Sequence, residues 1–401
     1  MAITFEQACR TILDNLSALD REECLLDDCY GRALAQAVTA PRDMPLWHNS
    51  AMDGYALRSG DCAGGDTSLK INGCVLAGDA PGVELESGCA LRIMTGAPVP
   101  TGADTIIPFE EAQLGEGVLL VQQPIKPGNH VRLRGEDVAA GDTVLSAGTR
   151  LRPQEIGMLA SLGFDRVSVH HRPRVAILST GDELVAPGQA LQPGQISDGN
   201  SAAMAAALRE AGAVPISLGI CKDNQDALLR ALSALPQIDA LITSAGISAG
   251  ERDLVRPVLE ELGWQELFWK VKVKPGYPTA FGLLDEKPVF CLPGNPVSAL
   301  MIFEQMVRPA LLKMSGHQEV MPPMLKAVIK DDITKKPGRL GLIRVCVSFE
   351  EGRLVACSAG VQQSGVLSTS LRANGVAYLL EESCGVEVGD VVEVRVMDEF
   401  V

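Results

Sequence analysis

The sequence predicts a multidomain protein in which a central doubly wound α/β domain is flanked by β-rich domains. Apolar, β-branched strand patterns alternate with helical patterns between Arg174 and Met314, which is typical of parallel strands covered by helices on both faces. Short apolar segments separated by Gly, Pro, Asn and Asp fill residues 60–148 and the chain after Pro323, and they predict two β-rich regions. A chain of 401 residues also exceeds what one compact core accommodates.

The composition excludes several classes of protein. A formal net charge of −15 would repel a polyphosphate backbone, so we expect no nucleic-acid partner. The start of the chain lacks a basic segment followed by an apolar run, and no stretch approaches the about 18 to 20 apolar residues of a membrane span. We therefore expect no membrane contact and a cytoplasmic location. The 11 cysteines contain no C-x-x-C pair, so we expect buried, reduced thiols rather than a metal site.

The sequence predicts helices in the N-terminal region. Thr4 with Gln7 three residues later forms a capping box before an amphipathic helix, and a second helix is predicted over 29–38. A helix over 153–162 follows the first β-rich region. We predict four domains: a discontinuous N-terminal helical and linker domain of residues 1–45 and 138–172, a β-rich domain of residues 46–137, an α/β domain of residues 173–320, and a C-terminal β domain, similar to a barrel, of residues 321–401.

Within the α/β domain the strands RVAILS, VPISLGI, IDALIT and PVFCLP alternate with helices predicted over 201–211, 224–235, 253–262 and 296–314. Ligands of such domains lie beyond the carboxyl ends of the strands. The sequence therefore places the candidate site at that edge of the sheet.

Three of these strands run directly into small, polar or rigid residues. Glycines let a backbone approach a ligand closely, while hydroxyls and helix N-terminal amides bind phosphate oxygens. Taken singly, each loop is equally well explained as a tight strand-to-helix turn. The candidate ligand-binding residues in the three loops are Ser179, Thr180, Gly181, Ser244, Gly246, Ser248, Gly250, Pro293, Gly294, Asn295, Pro296 and Ser298.

Charged side chains accompany these loops. Lys270, Lys272 and Lys274 alternate along a strand-like segment, so we expect them to point the same way and attract an anion. A solvated strand face is the alternative. Carboxylates also fall near strand ends, and oxygen ligands of this kind suit Mg²⁺ bound together with a phosphate. They are Asp182, Glu183, Asp223 and Asp253, the last with a simple helix N-cap as its alternative.

Three further segments combine a polar residue with glycine or proline: SAMDGYA with Asp53, RIMTGAPVP with Thr95, and RGED with Asp137. Residue chemistry alone favours ordinary turns for all three.

Together with STGDEL, LPGNPVSA and the KPG segment, these strings resemble the signature motifs of the MoeA family, whose eukaryotic relative is the C-terminal domain of gephyrin. They are spread between residues 50 and 299, and the similarity continues through Gly338, Arg339 and Arg344 into the C-terminal β domain. The resemblance therefore covers essentially the full chain.

The resemblance implies a MogA/MoaB-like α/β domain in a four-domain subunit, and a homodimer in which the partner's β-rich domain helps to close the cleft. It implies an Mg²⁺-dependent enzyme that inserts molybdenum from molybdate into adenylated molybdopterin and releases AMP. It assigns catalytic roles to Asp53, Thr95, Asp137, Asp223, Lys270 and Lys274, metal binding to Asp182, Glu183 and Asp253, and molybdate binding to Lys274, Ser298, Arg344 and Ser364. Molybdopterin adenylyltransferase and molybdoenzyme maturation proteins are the implied partners.

The chain departs from the family pattern at two places. Tyr277 stands where the family usually has the second lysine of K-P-G-K-P, and a phenol carries no cationic charge. Ala245 stands where the family usually has glycine, and it would be strained at positive φ. Two other functions stay open: an adenylyltransferase that makes the adenylated pterin, which would not require SAMDGYA and RGED, and a non-catalytic scaffold that binds the pterin without turnover.

Overall fold

The computed structural model describes residues 2–246 and 253–397. The predicted ligand-binding residues Ser248 and Gly250 lie outside these ranges. None of the helices in the described ranges has the length and apolar character needed to cross a membrane.

The chain begins with α1 (Phe5–Asp14), β1 (Arg21–Leu25) and β2 (Val38–Thr39). The predicted capping box of α1 is confirmed, since the Gln7 amide donates to Thr4 Oγ1 over 3.2 Å and the Thr4 amide donates to Gln7 Oε1 over 3.0 Å. The predicted helix over 29–38 is wrong. Gly31 has φ +77°, and Ala33 and Leu34 form β-bridges with residues more than 100 positions later, so tertiary pairing overrides the local helical pattern.

The next region is built from short strands: β3 (Asn49–Ser50), β4 (Gly54–Leu57), β5 (Thr67–Val75), β6 (Cys89–Ile93), β7 (Thr105–Pro108), β8 (Gln113–Leu114), β9 (Val118–Val121) and β10 (Val131–Arg132). Six of them form a sheet in the order β7-β4-β6-β5-β9-β8. Gly54 lies in this sheet so close to β7 that a Cβ would be 2.1 Å from the Ile107 carbonyl oxygen. This contact explains the glycine of SAMDGYA.

The chain then returns to the N-terminal region through β11 (Thr143–Leu145), α2 (Pro153–Leu162) and β12 (Arg166–His170). β11 pairs with β2 and β12 pairs with β1, both antiparallel. Buried residues from both stretches, including Leu34, Leu151 and Val169, share one core.

The α/β region contains β13 (Arg174–Thr180), β14 (Leu184–Val185), β15 (Ile196–Ser197), α3 (Gly199–Glu210), β16 (Val214–Cys221), α4 (Gln225–Ser233), β17 (Ala240–Ser244), α5 (Val255–Glu261), β18 (Gln265–Trp269), β19 (Val273–Lys274), β20 (Ala280–Leu284), β21 (Lys287–Leu292), α6 (Pro296–Ile302), a π-helical segment (Phe303–Val307) and α7 (Arg308–Met314). The sheet order is β16-β13-β17-β21-β20-β18. Its first four strands are parallel, and β20 runs antiparallel to both neighbours.

Helices cover both faces of this sheet, as predicted. Along β13, Val175 and Ile177 belong to the core shared with α1, α3 and α6, whereas Ala176 and Leu178 belong to the core shared with α4 and α5. The four predicted helices exist with slightly different ends. Asp253 is not the N-cap of α5, since that position is occupied by Leu254.

The prediction that three lysines share one face of a strand is wrong. β18 ends at Trp269, Lys270 has φ +73°, and β19 belongs to a different sheet. The Lys270 ammonium lies 3.9 Å from the centroid of the Trp269 ring, and Lys272 Nζ lies 3.9 Å from Glu381. Of the three, only Lys274 is exposed. The three side chains therefore have separate environments.

The C-terminal region contains β22 (Leu325–Ile329), β23 (Ile333–Thr334), β24 (Leu340–Glu350), β25 (Arg353–Ser358), β26 (Gly375–Leu379), β27 (Gly385–Val386) and β28 (Val391–Val396). Strands β24, β25, β22, β28 and β26 pair in that order, and β26 pairs again with β24 to close a five-stranded barrel. The predicted barrel-like domain is confirmed. β19 adds to the barrel by pairing with β24, which fastens the KPG segment to it.

Candidate functional site

Strand register brings the predicted loops to one edge of the α/β sheet. Ser179 at the end of β13 is aligned with Ser244 of β17, and Ser244 is aligned with Leu292 of β21. On the far side, Thr180 is aligned with Cys221, which precedes Asp223. The predicted residues from Ser179 to Glu183, with Asp223, Ser244 and Pro293, therefore lie along this edge. So does Lys270, because β18 ends there as well.

Asn200, which the sequence interpretation missed, ties two of these loops together. Its Nδ2 atom donates to Ser244 Oγ and to the Gly294 carbonyl oxygen, each over 2.8 Å. The same first turn of α3 holds Ser201, whose hydroxyl is 2.7 Å from Ser179 Oγ. Asp198 caps this helix by accepting from the Ser201 amide over 3.0 Å. The string D-G-N-S at the start of α3 is typical of a helix N-terminus. The role of Asn200 in joining the two loops follows only from its tertiary contacts.

The loops pack too closely for larger side chains. A Cβ on Gly294 would lie 3.1 Å from the Ala245 Cβ, and a Cβ on Gly246 would lie 2.5 Å from Val255. Thr180 Oγ1 is buried, and it has no hydrogen-bond partner within residues 2–246 and 253–397. Buried hydroxyls are normally satisfied, so this atom is a candidate to contact a ligand.

Ala245 has φ +77°, the left-handed region in which a Cβ is strained. We expect Ala245→Gly to raise the free energy of unfolding by about 0.5 to 1 kcal/mol, because relief of strain exceeds the added entropy of the unfolded chain. Ala205→Gly, inside α3, is the matched control and should lower it by roughly 0.5 to 1 kcal/mol. Urea unfolding followed by tryptophan fluorescence measures both. A destabilised Ala245→Gly variant would contradict the strain.

Within residues 2–246 and 253–397, the acidic residues at this edge do not form a preassembled metal centre. Among the described residues, no group of at least three His, Cys, Asp or Glu side chains is placed to hold a metal ion, Asp182, Glu183 and Asp253 included. Asp182 Oδ1 accepts from the Asp223 amide over 3.4 Å. The Glu183 carboxylate lies against Gly181, where a Cβ would be only 2.8 Å from its oxygens. Asp182 and Glu183 are exposed beside the loops, so their oxygens remain accessible.

The C-terminal barrel borders the same edge. Asn295 Nδ2, in the loop after β21, donates to Ser364 Oγ over 3.3 Å. Pro296 begins α6 as expected, although the Asn295 side chain makes no capping hydrogen bond. The buried Ser298 follows in the first turn of this helix. The loop that carries LPGNPVSA therefore contacts both the sheet and the barrel.

Arg344 of β24 is the largest fully buried side chain of the barrel, with 1% of its surface exposed. Its Nη2 atom donates to the carbonyl oxygens of Val361 and Gln363, over 2.8 and 3.4 Å. Nε and Nη1 are buried and have no partner in the described chain. Burial lowers the pKa of Arg344, although guanidinium groups stay charged in proteins. Arg344 lines a cavity of about 290 Å³ between α6 and the barrel, together with the apolar Val297 and Met301 and the carboxylates of Glu210 and Glu304.

The KPG segment packs against the same helix. A Cβ on Gly276 would lie 2.4 Å from the Ile302 side chain of α6. The guanidinium carbon of Arg339 lies 4.4 Å from the centroid of the Tyr277 ring. A cation therefore covers the position at which this chain has tyrosine instead of lysine.

The three motifs outside the α/β region meet around β3. Asp53 Oδ1 accepts from the Thr95 amide over 2.7 Å and from Thr95 Oγ1 over 2.8 Å. The backbone hydrogen bond, followed by that from the Thr95 hydroxyl, holds the pKa of Asp53 below its usual range. Asp53 is thus an exposed, ionised carboxylate at neutral pH, suited to accept rather than donate.

RGED joins this group through backbone contacts. β3 pairs with β10, which leads into the RGED turn, and the Arg134 amide donates to His48 Nδ1 over 3.0 Å. The Gly96 amide donates to the Ser50 carbonyl over 2.8 Å, and Asp137 is exposed beside them. Within the described ranges, no hydrogen bond or ion pair joins this motif cluster around β3 to the loops at the edge of the α/β sheet.

Three family models match successive parts of the chain: the MoeA N-terminal region (domains I and II) over residues 3–163, the "Probable molybdopterin binding domain" over residues 176–313, and the MoeA C-terminal region (domain IV) over residues 326–397. The chain is 39% identical to a molybdopterin molybdenumtransferase of Haemophilus influenzae, with 98% of both chains covered. It is 37% identical to molybdopterin molybdenumtransferase 2 of Mycobacterium tuberculosis, over 92% of this chain and 93% of that one.

A solved structure supports the same family assignment. The crystal structure of the molybdopterin biosynthesis MoeA protein from Pyrococcus horikoshii OT3 superposes with a TM-score of 0.85 at 29% identity, covering 99% of this chain and 100% of that one. The edge loops, the closed barrel and the motif cluster around β3 therefore occur in a chain that matches these relatives from end to end, and the chain belongs to the MoeA family.

Proposed function

We propose that this chain is a molybdopterin molybdenumtransferase, which inserts molybdenum from molybdate into adenylated molybdopterin and releases AMP. The observation that carries the proposal is that two groups of residues suited to contact anions lie close together. Loops suited to phosphate end at the sheet edge, and the buried Arg344 with two unpaired N–H groups lies beside the helix that starts at that edge. The names of the full-length relatives support the same reaction.

The loops at the sheet edge would hold the adenylated pterin. Thr180 Oγ1 and the backbone amides near Ser244 and Gly294 offer donors to phosphate oxygens, and the lack of side chains on the glycines allows close approach. The same amides stabilise the charge that develops on the leaving adenylate. Asn200 is a positioning residue, because it holds two of these loops together.

Molybdate would bind between α6 and the barrel, with Lys274, Ser298, Arg344 and Ser364 as its contacts. Arg344 brings a desolvated cation whose unpaired N–H groups fit an oxyanion. Lys274 is exposed and would attract the anion from solution. Lys270 lies at the sheet edge, where it adds positive charge near the phosphates.

Mg²⁺ fits the exposed carboxylates of Asp182 and Glu183, with Asp253 as the third proposed contact. Mg²⁺ is usually held by one or two carboxylates together with substrate phosphates, so a preassembled group of three is not required. When bound, it would neutralise phosphate charge during cleavage of the phosphoanhydride. We propose that Asp223, which hydrogen-bonds Asp182 through its amide, supports this arrangement.

We propose that the enzyme is a homodimer in which the motif cluster around β3 of one copy faces the sheet edge of the other. Asp53, Thr95 and Asp137 would then position water or transfer protons at the partner's site. The separation of the two clusters within one chain supports this arrangement, because neither alone contains all the functional motifs. Molybdopterin adenylyltransferase would deliver the pterin, and molybdoenzyme maturation proteins would receive the product.

The test is incubation of the purified protein with adenylated molybdopterin, Mg²⁺ and molybdate. We expect AMP release together with molybdenum incorporation into the pterin. Binding without either product would support the scaffold alternative. Formation of adenylated pterin from molybdopterin and ATP would support the adenylyltransferase alternative.

Arg339 is expected to provide the cation that Tyr277 cannot. Arg339→Gln should raise the KM for molybdate about fivefold, equivalent to about 1 kcal/mol, with little change in kcat. Adding Tyr277→Lys to that variant should return KM towards the wild-type value. Arg353→Gln, an exposed barrel arginine, is the matched control. An unchanged KM in Arg339→Gln would exclude this role.

A further inference from the structure

A second cavity, of about 440 Å³, lies at the opposite edge of the α/β sheet. Its lining includes Arg172 and the residues from Arg209 to Gly212, which precede the starts of β13 at Arg174 and β16 at Val214. The candidate site lies beyond the other ends of these parallel strands. Since seven strand residues span roughly 20 Å, a ligand in this cavity would not touch the candidate site.

The cavity is formed between segments that hydrogen bonds hold together. Residues 30–33 and Arg150 of the N-terminal region form one wall, and the ends of α3 and α7 form the other. Beside it, the Leu19 amide donates to the Met314 carbonyl over 2.8 Å, and His170 Nδ1 lies 2.7 Å from the Leu19 carbonyl oxygen. These hydrogen bonds join the two regions that form the walls.

Positive charge is concentrated in its walls. Five arginines contribute to the lining: Arg32, Arg150, Arg172, Arg209 and Arg308. Arg32 pairs with Glu22 over 2.5 Å, and Arg308 pairs with Glu210 over 2.9 Å. In the part of the chain that the structure describes, the guanidinium groups of Arg150, Arg172 and Arg209 form no ion pair.

Among the described residues that line the cavity, Glu319 is the one acidic residue that forms no ion pair. This excess of positive charge occurs in a protein whose formal net charge is −15. His317 lies in the same wall, where burial, and then the charges of Arg150 and His170, lower its pKa to about 4. The imidazole is neutral at pH 7 and is therefore available as a hydrogen-bond partner without adding charge.

We propose that this cavity binds a small molecule bearing a phosphate or diphosphate group, whose oxygens Arg150, Arg172 and Arg209 hold. Guanidinium groups bind phosphate oxygens through paired, charge-assisted hydrogen bonds. Arg150, Arg172 and Arg209 are exposed at the open side of the cavity, where a ligand can reach them. The volume fits a small molecule, since small-ligand pockets span about 300 to 1,000 Å³. The inference does not depend on the reaction proposed for the other edge.

Calorimetric titration with pyrophosphate tests the proposal. We expect saturable binding to the wild-type protein, and about 30-fold weaker binding to the double variant Arg150→Gln/Arg172→Gln, or roughly fivefold for each arginine. The double variant Arg10→Gln/Arg353→Gln removes the same charge from exposed positions elsewhere and should bind as the wild type does. AMP release by the Arg150 and Arg172 double variant should be unchanged without added pyrophosphate.

Arginine modification by phenylglyoxal, read by mass spectrometry, locates the bound anion without any substitution. Pyrophosphate should protect Arg150, Arg172 and Arg209. Stronger protection by AMP than by inorganic phosphate would identify a nucleotide, whereas equal protection would identify the phosphate group itself as what is recognised. Absence of saturable binding up to about 10 mM, equal weakening in both double variants, or protection confined to Arg339 and Arg344 would overturn the proposal.

Discussion

Replacing Arg344 by methionine is expected to reduce molybdenum insertion by at least about 100-fold, with most of the loss in the apparent affinity for molybdate. A desolvated guanidinium that contacts an oxyanion contributes several kcal/mol, and about 2.7 kcal/mol corresponds to 100-fold. Methionine replaces the unbranched stem of the arginine side chain but is shorter and carries no charge. The measurement is the molybdate dependence of AMP release and of molybdenum incorporation.

The same substitution should leave stability nearly unchanged, which separates a ligand-binding role from a structural one. Two buried N–H groups without partners cost free energy in the wild-type protein, and their removal offsets the two hydrogen bonds lost to Val361 and Gln363. We expect the free energy of unfolding to change by less than about 1 kcal/mol.

Arg395 provides the matched control. It is also a buried barrel arginine, and its Nε atom likewise has no partner among the described residues. Its Nη1 atom, however, donates to Gln305 Oε1 over 2.6 Å, and its guanidinium lies 5.4 Å from the centroid of the Tyr378 ring. Arg395→Met should destabilise the protein by about 2 kcal/mol and leave the molybdate dependence of the folded enzyme unchanged. The reverse pattern, with a destabilised Arg344→Met variant that retains insertion, would assign Arg344 to structure alone.

Mixed dimers of Asp53→Ala and Arg344→Met subunits are expected to regain activity that neither parent has. If each site combines Asp53 of one copy with Arg344 of the other, a mixed dimer contains one intact site and one with both substitutions. Its activity should be about half that of the wild-type dimer. Each parent dimer should be reduced about 100-fold or more, because general acid–base and oxyanion contacts contribute factors of this size.

Co-expression with two different affinity tags yields the mixed dimer, and native mass spectrometry verifies its composition. Mixed dimers of Asp53→Ala with Arg395→Met form the control, since both sites of that dimer retain Arg344. No recovery in the Asp53 and Arg344 pair would mean that each site is completed within one chain. A monomeric wild-type protein would contradict the dimer itself.

Local pattern predicted the α/β sheet, and it placed the three candidate loops at the edge of the sheet where the structure has them. β13 and β17 are continuous apolar strands, and the register that aligns Ser179 with Ser244 follows from parallel pairing. The alternation of β strands after residue 322 predicted a barrel-like domain, whose closure between β24 and β26 is now seen. In both regions the fold follows from strands that are near one another in sequence and from the turns between them, so local sequence pattern is enough to predict it.

The failures arise where distant residues decide the local structure. The Lys270 to Lys274 segment alternates like a strand, but the positive φ of Lys270 ends that strand, and Val273 pairs with Leu340 instead. The segment after Cys29 has helical composition, yet it pairs with strands more than 100 residues later. The hydrogen bonds of Asn200 with Ser244 and Gly294 form only when the sheet edge is assembled. The spacing of these residues along the chain therefore does not predict them.

The position of the oxyanion tests the account most directly. Crystals soaked in tungstate, a heavier oxyanion of the same geometry, allow the metal to be located by its anomalous scattering. We predict a peak between α6 and the barrel, within hydrogen-bonding distance of the Arg344 guanidinium and near Ser364. A fully occupied peak elsewhere, with none beside Arg344, would contradict the proposed site.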